Sequence, residues 1–235
     1  MISPNKEIKL NEKTSYLLET LKVEGHYNFS NNSLSLQNKN LPFLNRIEEI
    51  ISELGMNISR RILIKIKLPD KTKKEDVKIY ESNKEIKFHL EKSPFNENKV
   101  KAVTSQPYLH KYKIKVIIKN IVNKIEIEVL KDDIVCKGDL KCWTYKDIRF
   151  PNKKIFSFIK EYNRNKNEFS KYLLREDLKI IMSALSALID AEGSINWYGL
   201  KRLIRIRMRN KEYLQEWSLL LKRIGIGCKF RKNTN

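Results

Sequence analysis

The stretch from Leu185 to Gly193 reads LSALIDAEG, and it decides the architecture predicted for this chain. Its apolar residues recur at helical spacing, and it closes on Glu192 followed by a glycine, a residue that commonly ends helices. Such a helix projects its last carboxylate from its tip. A basic alternating strand and a leucine-rich helix ending at Gly225 follow. Isolated apolar helices do not show this order of acidic helix end, strand and helix.

The same order occurs near the N-terminus. The stretch LLETLKVEG, from Leu17 to Gly25, aligns with residues 185–193 at a shift of 168 residues. A polar-apolar alternating strand and a helix ending at Gly55 follow it, as a strand and a helix follow the later copy. Agreement over helix, strand and helix predicts an internal repeat. Two such helices side by side would bring Glu24 and Glu192 together.

The later stretch resembles the nine-residue LAGLIDADG signature of homing endonucleases, with Ser for Ala, Ala for Gly and Glu for the last Asp. The resemblance implies an α+β fold with pseudo-twofold αββαββ units, an antiparallel β-saddle and motif helices at the subdomain interface. The first copy departs from the signature, since Leu18 and Glu19 replace small residues and Lys22 occupies the sixth position. These larger side chains predict a looser or shifted helix interface.

Composition supports the α+β class, because helical patterns at both ends of the chain flank a strand-rich middle. Strands are predicted at residues 33–37, 62–68, 77–80, 85–90, 112–118 and 124–130. The predicted domains are a first, degenerate LAGLIDADG-like unit at 1–92, a β-rich insertion or extension at 93–150, and a second unit at 151–235. The second unit is expected to be incomplete, because the family's second strand pair and closing helices do not follow. A monomer with internal pseudo-symmetry is predicted, and the need for a further polypeptide is left open.

The paired acidic helix ends predict metal chemistry. Two carboxylates at one point repel each other, and a hard divalent cation such as Mg²⁺ resolves that conflict. The resemblance implies that Glu24 and Glu192 are the catalytic metal ligands, assisted by the backbone carbonyls of Val23 and Ala191. A cation held there would activate water for phosphodiester hydrolysis. Asp190 points elsewhere on the helix and is predicted to be structural.

The charge of +20 favours a polyanionic partner such as nucleic acid. Three arginines alternate with apolar residues after the second motif, which puts them on one face of a strand that could enter the major groove. Lysines alternate with isoleucines in the same way in the 62–68 strand, and the 33–37 strand has an uncharged polar face. The predicted DNA-binding residues are Arg205, Arg207, Arg209, Lys65, Lys67, Ser33, Ser35 and Gln37.

The remaining features concern compartment and redox state. The longest uncharged apolar run, residues 180–189, is far shorter than a bilayer requires, and no signal peptide opens the sequence. A soluble cytoplasmic protein is therefore expected. Cys136, Cys142 and Cys228 include no Cys-x-x-Cys pair, which argues against a structural zinc site and predicts free thiols.

Together these features predict a Mg²⁺-dependent hydrolase: a site-specific nuclease that cuts double-stranded DNA of the intron- or intein-insertion type. A nonenzymatic DNA-binding regulator, an intron-RNA maturase derived from the same fold and an inactive remnant are the alternatives. Retention of an acid at both motif ends favours the enzyme. Lys22 and the missing C-terminal strands favour the alternatives.

Overall fold

The computed structural model describes residues 10–28, 33–93, 96–151, 173–198, 201–208 and 210–230. Four helices and a short 3-10 turn at Lys74–Asp76 lie in this part of the chain: α1 (Glu12–Glu24), α2 (Leu41–Glu53), α3 (Leu178–Glu192) and α4 (Lys211–Arg223). The strands are β1 (Gly25–Asn28), β2 (Ser33–Asn38), β3 (Ser59–Lys67), β4 (Val77–Glu81), β5 (Lys84–Glu85), β6 (His89–Ser93), β7 (Asn96–Pro107), β8 (Lys111–Ile118), β9 (Ile121–Val129), β10 (Ile134–Gly138), β11 (Cys142–Pro151), β12 (Gly193–Tyr198) and β13 (Lys201–Ile206).

The chain divides into two compact units. Unit 1 contains Met1–Leu34, Glu49–Asn57 and Phe150–Asn235, and unit 2 contains Ser35–Glu48 and Ile58–Arg149. Helices and antiparallel sheets occur together, so the predicted α+β class is confirmed. No described helix is both long and apolar enough to cross a membrane.

Unit 1 is built around α1, α3 and α4, with β12 and β13 paired as an antiparallel hairpin directly after α3. Asn11 begins α1 as its N-cap, because its side chain accepts a hydrogen bond from the Thr14 backbone N–H at 2.9 Å. The Thr14 side chain in turn accepts from the Asn11 N–H at 2.8 Å, which completes a capping box. Both orphan donors at the start of α1 are thereby satisfied.

Unit 2 contains two antiparallel sheets that share one buried core. Within unit 2 the strands of the larger sheet run in the order β2, β11, β3, β7, β6, and those of the smaller sheet in the order β10, β9, β8, β4, β5. Alternating residues of β3 and β8 are buried, as the sequence pattern predicted. The largest buried contributions to the core come from isoleucines, valines and one tyrosine: Ile62, Ile64, Ile66, Val77, Ile79, Tyr112, Ile114, Val116, Ile125 and Ile127.

Strands β3 and β11 pair directly although a long segment separates them in sequence. Their register runs from Ser59 opposite Arg149 to Ile66 opposite Cys142. The intervening segment 68–141 contributes every strand from β4 to β10, and one of these, β7, pairs with the other edge of β3. The sequence-based division at residues 92 and 150 remains a prediction.

The cysteines differ from expectation. Cys136 and Cys142 form a disulfide, so the prediction of free thiols is wrong for these two, whereas Cys228 is a free, exposed cysteine. The pairing has a local cause: β10 ends shortly before β11 begins, which brings the two Cα atoms to 6.6 Å, within the range that a disulfide spans. The absence of a Cys-x-x-Cys pair therefore did not exclude a bond at this longer spacing.

Candidate active site

The two motif helices, α1 and α3, pack against each other in unit 1. The Ser15 hydroxyl donates to the Ile180 carbonyl at 3.1 Å, and the Ser183 hydroxyl donates to the Glu12 carbonyl at 2.7 Å. Ser15 and Ser183 are 168 residues apart, as are Glu12 and Ile180. The two hydrogen bonds are therefore related by the same shift that relates the two sequence motifs, and they join the N-terminal turns of the two helices.

The C-terminal ends of the two helices are also equivalent. The Gly25 N–H donates to the Leu21 carbonyl, and the Gly193 N–H donates to the Ile189 carbonyl. A Cβ atom on either glycine would lie 2.3 or 2.4 Å from that carbonyl oxygen, closer than real Cβ contacts. Only glycine fits, so each helix turns at this point directly into an extended strand. Glu24 and Glu192 are fixed as the last helical residues.

The two terminal glutamates influence each other electrostatically. Both are half-buried. Burial raises the pKa of the Glu24 carboxyl, and the negative charge of Glu192 raises it further. Burial also raises the pKa of the Glu192 carboxyl. Neither carboxylate has a hydrogen bond or ion pair with a described residue. The structure thus brings two partly desolvated acids within reach of each other and leaves their negative charge uncompensated.

The C-terminal ends of α1 and α3 present oxygen atoms that could bind a metal ion. The last carbonyls of a helix lack intrahelical partners, which leaves the Val23 and Ala191 carbonyls beside the two carboxylates. Among the described residues no group of three or more His, Cys, Asp or Glu side chains could hold a metal ion. A hard divalent cation accepts carboxylate, carbonyl and water oxygens, so this donor set fits Mg²⁺ with water or phosphate completing the shell.

The C-terminal part of the chain matches a known family. Residues 179–235, which include α3, the β12–β13 hairpin and α4, match the model described as a LAGLIDADG-like domain. The C-terminal region is therefore similar to a LAGLIDADG-like domain. The resemblance drawn from LSALIDAEG is confirmed for this region. No curated protein matches the chain.

Solved structures of the homing endonuclease I-DmoI are similar to the chain at low identity. The complex of I-DmoI with DNA and Mn is 13% identical, with 96% of this chain and 85% of that chain covered and a TM-score of 0.43. The complex with DNA and Ca is 12% identical, with 95% and 77% covered and a TM-score of 0.42.

Asp190 of the LAGLIDADG-like domain has a structural contact, in line with its predicted role. Its carboxylate accepts a hydrogen bond from the Tyr16 hydroxyl at 2.6 Å. This bond ties α3 to α1 between the serine contacts and the helix ends. The side chain that faces the partner helix is therefore Asp190, while Glu192 at the tip carries no such bond.

Glu19 occupies an environment that sequence reasoning missed. The LAGLIDADG-like signature has a small residue at this position, and a looser helix interface was expected. Instead Glu19 is completely buried against α4, where it accepts hydrogen bonds from the Tyr213 hydroxyl and from the Trp217 indole N–H at 3.2 Å. Lys22 lies over the Tyr213 ring, with its ammonium 4.1 Å from the centroid. Glu19 and Lys22 thus contact α4, and α1 still packs against α3.

Burial dominates the protonation of this cluster. Desolvation raises the pKa of the Glu19 carboxyl to about 7, although the bonds from Tyr213 and Trp217 and the charge of Lys22 lower it. Desolvation also lowers the pKa of the Lys22 ammonium. The only signal in the sequence was an acid inside an otherwise apolar helix, together with aromatics four residues apart on a later helix. Sequence alone could not show that the two meet.

The arginine strand of the LAGLIDADG-like domain is shorter than its alternation predicts. Strand β13 ends at Ile206, so Arg205 lies on the strand opposite Ser194, and Arg207 lies beyond it and is exposed. Arg209 lies outside the described residues. Ile204 is 54% exposed, because the two-stranded hairpin covers little of its own apolar face.

The other predicted DNA-binding residues belong mainly to unit 2. Ser35 and Gln37 are partly exposed on β2, while Ser33 at its start belongs to unit 1. Lys67 is exposed at the end of β3. Lys65 has a side chain only 25% exposed, because its ammonium pairs with the Glu91 carboxylate at 2.8 Å. The roles of all these residues remain predictions.

Proposed function

We propose that this protein is a site-specific endonuclease of the homing type, which hydrolyses double-stranded DNA with a divalent cation. One observation carries the proposal. Glu24 and Glu192 end two packed, equivalent helices, neither carboxylate pairs with a described residue, and burial and the charge of Glu192 both raise the pKa of Glu24. A cation bound between the two carboxylates would offset the repulsion between their negative charges. The paired helix ends would then form a metal site.

Four oxygen donors of the chain would hold the cation: the Glu24 and Glu192 carboxylates and the Val23 and Ala191 carbonyls. When bound, a divalent cation such as Mg²⁺ supplies an activated water and stabilises charge on the attacking and leaving oxygens. The protein's own contribution is to fix both carboxylates at rigid helix ends. The glycines at 25 and 193 supply that rigidity, because any side chain there would displace the turn.

Basic and polar strands are proposed to hold the DNA. Arg205 and Arg207, with Arg209, would contact phosphates or guanine edges from the hairpin. Lys65 and Lys67 would contact phosphates from β3, and Ser33, Ser35 and Gln37 would read base edges from β2. A chain with a net charge of +20 gains much of its affinity by releasing counterions from the DNA.

We further propose that the first repeat unit is interrupted. Strands β3 and β11 pair as the two halves of a hairpin would, so the unit continues from β3 to β11 across segment 68–141. On this proposal the additional strands are those of segment 68–141, and the second unit begins after β11. It differs from the division at residues 92 and 150 that the sequence suggested.

The test uses the protein's own target. Duplexes retained by the protein from a randomised library give a consensus sequence, and a plasmid carrying it is assayed for nicking and double-strand cleavage with Mg²⁺ and with EDTA. Cleavage at one position with Mg²⁺ and none with EDTA is expected. Cleavage in EDTA would contradict the proposed requirement for a divalent cation.

Two further outcomes would favour the alternatives. Sequence-specific binding without cleavage, in both Mg²⁺ and Mn²⁺, would indicate a nonenzymatic DNA-binding regulator. Tighter retention of a structured intron RNA than of any duplex would indicate a maturase.

A further inference from the structure

The larger sheet of unit 2 continues beyond β3. Strand β7 pairs with β3, and β6 pairs with β7, both antiparallel. Both strands come from segment 68–141, which lies between the paired strands β3 and β11. Neighbouring strands lie about 4.8 Å apart, so β7 and β6 widen the sheet by about 10 Å. The face that carries Lys65 and Lys67 is wider by the same amount.

The register places lysines of the added strands on that face. Lys67 lies opposite Lys101, whereas the next pair, Ile66 and Ala102, faces the fully buried core. Lys99 is exposed and precedes Lys101 by two residues, so strand alternation puts it on the same face. The outward face of β7 therefore continues the lysine pattern of β3.

Aromatic rings organise these lysines. The Lys101 and Lys141 ammonium groups lie 4.9 and 5.4 Å from the centroid of the Trp143 ring. Lys39 lies 5.0 Å from the centroid of the Tyr145 ring. Such cation-π contacts hold flexible lysine side chains in place. A preorganised cation loses less conformational entropy when it binds a phosphate.

Positive charge exceeds negative charge on this face. Several described residues lie opposite Trp143, Lys65 and Lys67 on the neighbouring strands. Glu91 is the one acid among them, and its carboxylate pairs with Lys65. The hydrogen bond from Lys65 lowers the pKa of the Glu91 carboxyl, and the charge of Lys101 lowers it further. Lys67, Lys99, Lys101 and Lys141 keep their charge available to a ligand.

The outward face of the smaller sheet in the same unit is different. Lys111 of β8 lies opposite Glu128 of β9, and Lys113 lies opposite Glu126. The Lys111 ammonium is 3.5 Å from the Glu128 carboxylate. These two pairs are neutral, although Lys115 lies opposite Lys124 on the same face. Lys111 and Lys113 are thus each matched by an acid, whereas Glu91 on the β7 face pairs with Lys65.

From this geometry we propose that the inserted strands form a flank-binding surface, defined by Lys99, Lys101, Lys141 and Trp143, for the phosphate backbone of duplex DNA. The proposal rests on the proposed function and deepens it. The surface contacts DNA next to the recognition sequence and reads no bases. Its added width of about 10 Å corresponds to about three base pairs of duplex.

The test compares two double-alanine variants of the full chain by hydroxyl-radical footprinting and by affinity at several salt concentrations. The first removes Lys99 and Lys101. It should shorten the protected region by about three base pairs at one end and weaken binding about tenfold. The slope of log affinity against log salt should fall by about 0.9 for each lost phosphate contact. Binding-site preference should be unchanged.

The control removes Lys111 and Lys113, which are exposed on the smaller sheet and lie opposite Glu128 and Glu126. It should keep the wild-type footprint and salt slope. Equal effects of the two variants would overturn the proposal, as would a loss of protection in the middle of the footprint. If the wild type binds no duplex, the proposed function fails with it. If the wild type binds and the Lys99 and Lys101 variant matches it, only the flank-binding surface fails.

Discussion

At the scale of single residues, Glu192 and Asp190 lie in the last turn of the same helix, but only Asp190 accepts a hydrogen bond from Tyr16. Glu192→Gln should lower the cleavage rate roughly a thousandfold, because several kcal/mol of charge stabilisation depend on the bound cation. DNA affinity should stay within about twofold, since the amide keeps the shape of the side chain. The measurement is single-turnover cleavage of the selected target together with its dissociation constant.

Asp190→Asn is the matched control for that variant. Asparagine still accepts the hydrogen bond from Tyr16, so cleavage should remain within a fewfold of wild type. Glu24→Gln should behave like Glu192→Gln if both helix ends hold the cation. Full cleavage by Glu192→Gln would show that this carboxylate is not a ligand.

Glu19 makes stability depend on pH. The pKa of its carboxyl is about 7 in the folded protein, against 4.5 as the ordinary value, so the folded state binds the extra proton between these limits. Stability contributed by the protonated acid is complete below pH 4.5 and is lost as pH rises to 7. The loss should reach roughly 3 kcal/mol, at 1.36 kcal/mol for each pKa unit.

Glu19→Gln should remove this dependence. Glutamine keeps an acceptor for Tyr213 and Trp217 but never ionises, so its free energy of unfolding should exceed that of wild type above pH 7 and match it near pH 4.5. Urea denaturation at a series of pH values measures the difference. If the free energies of unfolding of the two proteins changed in parallel with pH, the raised pKa of Glu19 would be contradicted.

At the scale of elements, sequence periodicity predicted the amphipathic helices and strands and missed a strand whose pattern is not amphipathic. Helices α2 and α3 and strands β3, β4, β8 and β9 lie close to their predicted positions, because one face of each is apolar and buried. Strand β11 was missed because Lys146 and Asp147 interrupt its apolar residues. Lys146 is buried all the same, since it pairs with Glu48 at 2.9 Å and bonds to Asn45 at 2.9 Å.

The candidate site was predictable for the same kind of reason. Both glutamates stand at motif ends, so the repeat and the family resemblance named Glu24 and Glu192 as candidates. The flank-binding surface could not, because Lys99, Lys101 and Lys141 become neighbours of β3 only through strand order. Strand order depends on long-range pairing, which short-range patterns do not encode.

The turn after α3 gives a prediction at this scale. Gly193→Ala should lower the free energy of unfolding by on the order of 2 kcal/mol, because the new Cβ would lie 2.4 Å from the Ile189 carbonyl oxygen. It should also reduce cleavage, since the helix end that carries Glu192 must move. Thermal denaturation and the cleavage assay measure the two effects.

Gly227→Ala provides the comparison. A Cβ at that position meets nothing within 4 Å, so stability should change by less than about 0.5 kcal/mol. Equal destabilisation by both substitutions would mean that the close approach at Gly193 does not constrain the helix end.

At the scale of the whole molecule, the net charge of +20 predicts binding that weakens steeply with salt. Each phosphate contact contributes about 0.9 to the slope of log affinity against log salt, so six contacts would give a slope of about −5. Arg207→Ala should reduce the magnitude of that slope by about 0.9, the contribution of one phosphate contact. Fluorescence anisotropy from low to moderate salt measures it, and an affinity independent of salt would refute the electrostatic contact.

The pairing of β3 with β11 has an evolutionary consequence. A segment that leaves and re-enters between adjacent strands could be acquired without redirecting the rest of the chain. Such a segment is hard to lose, because its residues pack in one buried core with Ile62, Ile64 and Ile66 of β3. Simple excision would expose these isoleucines to water, at a cost of about 1.5–3 kcal/mol for each side chain. Outward residues of the segment that lie outside the flank-binding surface can therefore vary, but the segment itself can be discarded only after the isoleucines beneath it have become polar.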